Sequence, residues 1–166
     1  MSIALIPGSF DPMTLGHLDI VKRALSLYGE AVVAVMNNET KTYMHSLEER
    51  LKMAELTVAG LPGVRVVADT GMVIDLLDRL GADVIVKGVR NEKDRAYEED
   101  MAAWNLEHNP RAKTVLLSAA DDFEAVSSTA ARECIRCGVA PHGMLSENVI
   151  EYLREKGELP QKERCL

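Results

Sequence analysis

Short apolar runs alternate along this chain with longer stretches of helical periodicity, and this alternation constrains the fold more than any other feature. The apolar runs are short and partly β-branched, as buried parallel strands are. They lie at residues 3–6, 31–36, 64–68, 84–86 and 115–117, and all but the third, which contains Arg65, are continuous. The helical stretches lie at residues 18–27, 47–59, 72–80, 97–107, 129–137 and 147–155. This order predicts an α/β fold with a Rossmann-like, doubly wound parallel sheet of five strands, helices on both faces and C-terminal helices.

Capping residues and glycines support the same boundaries. Ser46 followed by Glu49 has the pattern of a capping box at a helix start. Glycines stand where four helices should end, at positions 29, 81, 138 and 157. The length of 166 residues fits a single domain, residues 1–166, with a polar C-terminal tail over 157–166.

The charge balance restricts the class of partner. The chain has 19 Lys and Arg residues against 26 Asp and Glu, a formal net charge of −7, which repels nucleic acid and anionic membranes. We therefore expect neither as a partner, and any anionic ligand needs a local basic site. An odd number of cysteines, three, and a start without the features of a secretory signal favour a cytoplasmic location.

The loop after the first predicted strand, PGSFDPMTLGH, offers an anion-binding geometry. It matches neither the dinucleotide-binding glycine fingerprint nor the phosphate loop that ends in Gly-Lys-Ser/Thr. Gly8 and Ser9 can present backbone N–H groups, and Thr14 can cap the next helix, which places Gly16 and His17 in its first turn. The positive end of the helix dipole there should keep His17 neutral. Taken singly, these residues are more simply explained by a turn with a capping threonine and a surface histidine.

Two further segments follow predicted strands. Lys87, Arg90, Lys93 and Arg95 gather positive charge directly after the fourth strand in an otherwise acidic chain, where an anion would bind. The alternative is a solvated basic loop that balances neighbouring acidic residues. Residues 127–129, Ser-Ser-Thr, open a predicted helix that they could cap, or they could hold phosphate. Because the loops after strands one, four and five of such a sheet open on one crevice, we expect one site.

Three motifs together resemble a known enzyme family. GSFDPMTLGH at residues 8–17 is similar to the signature of nucleotidyltransferases with a Gly-Thr/Ser-Phe-Asp-Pro turn and a His/Thr-x-Gly-His motif. KGVR at 87–90 is similar to the Arg-Gly-Leu-Arg segment of the phosphopantetheine adenylyltransferases, and VSST at 126–129, with Arg132, to their Ile-Ser-Ser-Ser/Thr segment. The motifs occur in the right order and the likeness spans nearly the whole chain. The sequence thus resembles the bacterial-type phosphopantetheine adenylyltransferases.

The resemblance implies an activity. It is transfer of AMP from ATP to 4′-phosphopantetheine, giving dephospho-coenzyme A and pyrophosphate in coenzyme A biosynthesis. The resemblance also implies Mg²⁺ as a companion of ATP and a homohexamer. The sequence shows no dedicated carboxylate cage for the ion, so we expect no metal site of the protein's own. A phosphate nucleophile is already anionic near neutral pH, so catalysis needs positioning and charge neutralisation rather than a general base.

Functional residues of the family carry over onto matching positions. The implied catalytic residues are His17, Lys41 and Arg90. The implied ATP contacts are Ser9, Phe10, His17, Gly88, Val89, Arg90, Glu98, Ser127, Ser128 and Thr129. The implied acceptor contacts are Ser9, Lys41, Met72, Val73, Lys87 and Asn105. From the residues alone, Lys41 would be a surface lysine, Glu98 part of a solvated acidic face, and residues 72–73 core.

Three positions depart from the family pattern. Ser9 replaces the more usual Thr and keeps its hydroxyl, whereas Lys87 replaces the first Arg of Arg-Gly-Leu-Arg and loses its planar fork. Gly71 stands where some members have Asp. These departures bear on the acceptor's affinity or pose and not on the class of reaction.

Two other functions remain open. A sibling nucleotidyltransferase acting on nicotinamide mononucleotide or another phosphorylated acceptor would share the first motif. Residues 127–129 with Arg132 slightly favour an enzyme for nicotinamide mononucleotide, whereas the chain length and residues 87–90 favour the pantetheine enzyme. A non-catalytic nucleotide sensor on the same fold is the second alternative, which an intact His17 disfavours.

Cys134 and Cys137 form a C-x-x-C pattern, which is typical of redox or zinc sites. They lie in the last turns of a predicted helix, whose negative dipole end disfavours a thiolate. Zinc would need two more ligands, for which His142 and Cys165 are weak candidates. We expect the pair to be inert.

Overall fold

The computed structural model describes residues 1–161 as a five-stranded, all-parallel sheet with helices on both faces. The strands are β1 (Ser2–Gly8), β2 (Gly29–Met36), β3 (Val64–Asp69), β4 (Val84–Val89) and β5 (Thr114–Ser118), in the order β3-β2-β1-β4-β5. The α-helices of this part of the chain are α1 (Leu15–Tyr28), α2 (Leu47–Val58), α3 (Val73–Leu80), α4 (Glu92–His108), α5 (Ser128–Arg136) and α6 (Glu147–Glu155). The predicted fold class is confirmed. Cys165 and positions 162–166 of the predicted tail lie outside the described residues.

The two central strands separate at their carboxyl ends. β1 pairs with β2 along its whole length, from Ser2 opposite Gly29 to Gly8 opposite Val35, but pairs with β4 only through Ala4 and Leu5. The strand order also reverses direction between β1 and β4, which is where open α/β sheets place their ligand crevice. The topology therefore predicts a site between these two strand ends.

Strand residues alternate between the two faces of the sheet. Ala4 and Ile6 of β1 pack in a cluster with side chains of α1 and α2, whereas Leu5 packs with side chains of α3. A third cluster joins α2, α5 and α6 and includes Met53 and Leu153. α4 contributes no buried side chain to any of them. No helix of residues 1–161 combines the length and apolar character that crossing a membrane requires.

Capping explains the helix boundaries, including one that the sequence analysis misplaced. α1 begins at Leu15, three residues before its periodic apolar stretch, because Thr14 caps it as predicted. α4 begins at Glu92 rather than residue 97, because the Asn91 side chain accepts the N–H of Asp94 at 2.9 Å. Residues 93 and 95, predicted as part of a basic loop, therefore lie on the first turns of α4. The predicted Ser46 cap and the four helix-ending glycines are confirmed, the latter with φ of 63° to 95°.

Arg50 is a fully buried cation on α2 that ties the loop after β1 to the end of β2. Its guanidinium donates to backbone and side-chain oxygens: the carbonyls of Ser9 (2.9 Å), Met36 (3.0 Å) and His45 (3.2 Å) and Asn37 Oδ1 (2.5 Å). It also lies 3.8 Å from the centre of the Tyr43 ring. One side chain thus supplies the donors that these buried backbone oxygens need.

Replacing Arg50 with Met should lower the free energy of unfolding by about 3 kcal/mol, because it leaves several buried acceptors without a donor. Urea denaturation measures the difference. Lys52→Met, an exposed change on the same helix, is the matched control and should stay within about 0.5 kcal/mol of the parent. Equal stability of the two variants would contradict the assignment.

Candidate active site

A cavity of about 480 Å³ lies where β1 and β4 separate. It is lined by the loop after β1, the first turns of α1, the end of β4, one face of α4 and the start of α5. The lining residues that the sequence analysis named as candidate contacts are Ser9, Phe10, His17, Lys87, Gly88, Val89, Arg90, Glu98, Ser127, Ser128 and Thr129. The three motif segments therefore meet at one place, as expected.

His17 is fixed by a reciprocal capping box with Thr14. The Thr14 backbone N–H donates to His17 Nδ1 at 3.0 Å, and Thr14 Oγ1 accepts the backbone N–H of His17 at 3.3 Å. Because the backbone N–H can only donate, Nδ1 must be the unprotonated nitrogen, and a neutral ring carries its proton on Nε2. The helix cap thus sets the tautomer and orientation of the imidazole.

The surroundings of His17 favour the neutral ring. Burial lowers its pKa to about 4, and the positive charges of Lys87 and Arg90 act in the same direction. The Phe10 ring meets the imidazole edge to face, with ring centroids 5.0 Å apart. The neutral state expected from the sequence is confirmed, and burial is its main cause.

The loop after β1 holds an uncommon backbone conformation. Phe10 has φ 48°, in the left-handed region that non-glycine residues rarely adopt. Its ring fills the space beside Gly8, where an added Cβ would lie 2.9 Å from the ring. Arg132 donates to the Asp11 carbonyl at 2.8 Å, which links the loop to α5. The loop is therefore fixed by packing as well as by hydrogen bonds.

The cations at the end of β4 are already paired with carboxylates. Lys87 Nζ lies 3.4 Å from Glu98 Oε1 and donates to the Pro7 carbonyl at 3.2 Å. Arg90 Nε lies 3.3 Å from Asp94 Oδ2. A bound phosphate would compete with these carboxylates for the same donors.

The start of α5 combines capping and binding capacity. Ser127 Oγ accepts the Ala130 N–H at 3.0 Å, and Ser128 Oγ donates to the Pro12 carbonyl at 2.7 Å. The capping use considered from the sequence is thus present. The backbone N–H groups of Ser128 and Thr129 lie at the cavity end of the helix, where a phosphate gains most from the dipole.

Comparisons with known proteins agree with these motifs. The model of the cytidylyltransferase-like family matches residues 5–134. A phosphopantetheine adenylyltransferase of Limosilactobacillus fermentum is 38% identical over 164 residues, 99% of this chain and 95% of the relative. One of Prochlorococcus marinus is 39% identical over 153 residues, 92% of this chain and 98% of the relative. This chain belongs to the phosphopantetheine adenylyltransferase family.

A solved structure supports the fold of this family member. A Vibrio parahaemolyticus protein assigned as a nicotinate-nucleotide adenylyltransferase superposes with a TM-score of 0.73 over 98% of both chains. Its sequence identity is 19%, so the likeness concerns the fold alone.

Four residues carried over from the family do not line the cavity. Lys41 is exposed in a turn after β2, and Met72 is the exposed N-cap of α3. Val73 packs with the cluster under α3, and Asn105 lies partly buried on α4. The first three follow β2 and β3, at the same edge of the sheet as the cavity.

Several residues that shape this family member's site were not predicted. Asp94, Tyr97 and Phe123 line the cavity. Arg50 and His45 hold the loop after β1 from behind. Of these residues, only Arg50 could have been found from the sequence. It lies on the buried face of α2, so it places a charge among apolar side chains.

His17 should remain a neutral, Nε2-protonated imidazole down to about pH 5, because its pKa is lowered to about 4. ¹⁵N NMR of the imidazole through a pH titration measures both the tautomer and the midpoint. Since the unfolded chain restores a pKa near 6.5, His17 contributes stability that is lost as the pH falls from 6.5 toward 4. A midpoint near 6.5, or a proton on Nδ1, would contradict this assignment.

Proposed function

We propose that this chain transfers the adenylyl group of ATP to the phosphate of 4′-phosphopantetheine, giving dephospho-coenzyme A and pyrophosphate. The observation that carries the proposal is the convergence of three motif segments on one cavity, in a chain that matches phosphopantetheine adenylyltransferases over nearly its full length. The cavity combines a neutral imidazole, lysine and arginine cations and a helix N-terminus, which suits phosphorylated substrates.

The reaction needs positioning rather than proton abstraction. An oxygen of the acceptor phosphate attacks the α-phosphorus of ATP, and the bond from that phosphorus to the bridging oxygen of the β-phosphate breaks, so pyrophosphate leaves. The nucleophile is already ionised near neutral pH, and negative charge builds on the non-bridging oxygens of the α-phosphate. Donors placed there stabilise the transition state more than bound ATP.

His17 is our candidate for that donor. Its capping box commits Nδ1 to Thr14, so the Nε2–H remains to bind an oxygen of the α-phosphate. A neutral donor avoids the desolvation cost of a buried imidazolium, in keeping with its lowered pKa. Arg90 and the start of α5 would hold the β- and γ-phosphates, and Lys87 with Lys41 would orient the acceptor.

Mg²⁺ is proposed as a companion of ATP. Of the carboxylates of residues 1–161 that line the cavity, Asp94 and Glu98 are each paired with a cation, and the Asp11 carboxylate accepts backbone N–H groups. They form no dedicated cage. The ion would therefore be held mainly through phosphate oxygens and water, as Mg²⁺ usually is.

Pyrophosphate release with ATP and Mg²⁺, measured across phosphorylated acceptors, tests the proposed reaction. Turnover with 4′-phosphopantetheine and a product of the mass of dephospho-coenzyme A is expected. Turnover only with nicotinamide mononucleotide would replace this function by that of a sibling enzyme. ATP binding without turnover on any acceptor would instead favour a nucleotide sensor.

His17→Ala should lower kcat by about 100- to 1,000-fold, the usual cost of one transition-state donor. The dissociation constant for ATP should change by less than about tenfold, because the contact acts mainly on the transition state. Both are measured on the same folded sample, and His17→Gln, which keeps an N–H donor, should recover part of the rate. A kcat within a few-fold of the parent would defeat the catalytic role.

Lys41→Ala should weaken use of 4′-phosphopantetheine and leave ATP binding nearly unchanged, because Lys41 lies after β2 and outside the cavity between β1 and β4. Acceptor KM and ATP calorimetry separate the two effects. Lys52→Ala, at another exposed lysine, controls for loss of surface charge. Weaker ATP binding with an unchanged acceptor KM would refute the assignment.

A homohexamer, which the family resemblance implies, is proposed as the working state, in the cytoplasmic location that the cysteine count favours. The support for the homohexamer is α4, which buries no side chain within the chain but exposes three large apolar ones that do not line the cavity: Met101, Trp104 and Leu106. Apolar surface of this kind is typical of subunit interfaces. Sedimentation equilibrium at micromolar concentration should give the mass of six chains.

A further inference from the structure

His45 is a buried imidazole that lies between two carboxylates, away from the proposed reaction. Its side chain is 1% exposed. Nδ1 lies 3.0 Å from Asp11 Oδ1, and Nε2 lies 2.7 Å from Glu158 Oε1. Asp11 belongs to the loop after β1, whereas Glu158 follows α6 near the end of the described residues. One ring thus joins the nucleotide-site loop to the C-terminal segment.

The hydrogen bonds constrain the protonation state of this ring. An ionised carboxylate only accepts hydrogen bonds, and a neutral imidazole has a single N–H to donate. Two short contacts to two carboxylates therefore require a proton on each nitrogen. We infer that His45 is an imidazolium at neutral pH and is a positioning residue, which clamps the segment carrying Glu158 against the loop that carries Asp11.

The other charged groups around the ring agree with a positive His45. The carboxylate of Glu49 lies within 4.8 Å of the ligand atoms of His45 and Glu158. Lys156 forms an ion pair with Glu49 and lies 3.9 Å from Glu158 Oε2, and Arg50 donates to the His45 carbonyl. The cluster therefore contains the carboxylates of Asp11, Glu49 and Glu158 together with the His45 imidazole and two further cations.

The balance of burial and charge supports the same state. Burial acts to lower the pKa of His45, but the hydrogen bond to Asp11 and the charge of Glu158 outweigh it and raise the pKa above 6.5. A histidine whose pKa is raised on folding contributes stability that is fully present below pH 6.5. This stability is lost as the pH rises through the pKa of the folded state.

The clamp acts on the site through Asp11. The Asp11 carboxylate also accepts the backbone N–H groups of Met44 (2.8 Å) and His45 (3.1 Å). Asp11 directly follows Phe10, whose left-handed backbone and ring packing shape the wall beside His17.

Deprotonation of His45 would leave a ring lone pair facing a carboxylate oxygen, so one of the two contacts must break. On the other side, the clamp fixes the segment whose Leu159 is buried against α6.

NMR titration of the His45 imidazole tests the clamp without any substrate. The parent ring should be doubly protonated at pH 7, with a midpoint above the ordinary 6.5. Glu158→Gln keeps the shape of the side chain and removes its charge, so the midpoint should fall. Glu155→Gln, an exposed glutamate of α6, is the matched control and should leave the midpoint unchanged. A neutral ring at pH 7, or an unchanged midpoint in Glu158→Gln, would overturn the inference.

The effect on turnover rests on the proposed function and is measured separately. The parent should lose kcat/KM for ATP by about three- to tenfold as the pH rises through the His45 midpoint. This decrease in kcat/KM should begin at a lower pH in Glu158→Gln. It should be absent in His45→Asn, whose amide can still donate to Asp11 but has no proton to lose.

A purely structural histidine would leave the pH profile of Glu158→Gln unmoved, and that result would also overturn the inference. If no acceptor supports turnover, the proposed function fails. The NMR titration still decides whether the clamp exists.

Discussion

The guanidinium of Arg50 is the contact on which the geometry of the nucleotide site depends. The loop after β1 turns away from the sheet, so its backbone carbonyls no longer have strand partners. Arg50 supplies donors to Ser9 on that loop and to Met36 at the end of β2, so two strand ends are fixed by one buried side chain. Backbone N–H groups can then be held ready for phosphate without reorganisation when ATP binds.

Local sequence signals were sufficient for most of the fold. All five strands were predicted. The three inner strands are buried and read as continuous apolar runs, whereas β3 and β5 are only partly buried and were predicted from their β-branched residues. Helix starts followed their capping residues, with Thr14, Ser46 and Ser127 at the expected places. The start of α4 was misplaced because its first turns are polar and bury nothing, so hydrophobic periodicity gave no signal there.

The sequence predicted the site only where its residues lie together in contiguous motifs. The segments around His17, Lys87 and Ser127 meet because parallel strands bring their carboxyl ends to one edge. The polar network behind them was not predictable, since its bonds join residues far apart: His45 contacts Asp11 across 34 positions and Glu158 across 113. No local pattern marks such pairs, and they become visible only once the chain is folded.

The pairing of Lys87 with Glu98 and of Arg90 with Asp94 determines how this site exchanges one anion for another. The carboxylates of Glu98 and Asp94 contact the same cationic groups that a phosphate would use. Substrate entry is then a substitution of one anion for another. Affinity reflects the better geometry of phosphate oxygens rather than total attraction, and the protein should respond weakly to ionic strength.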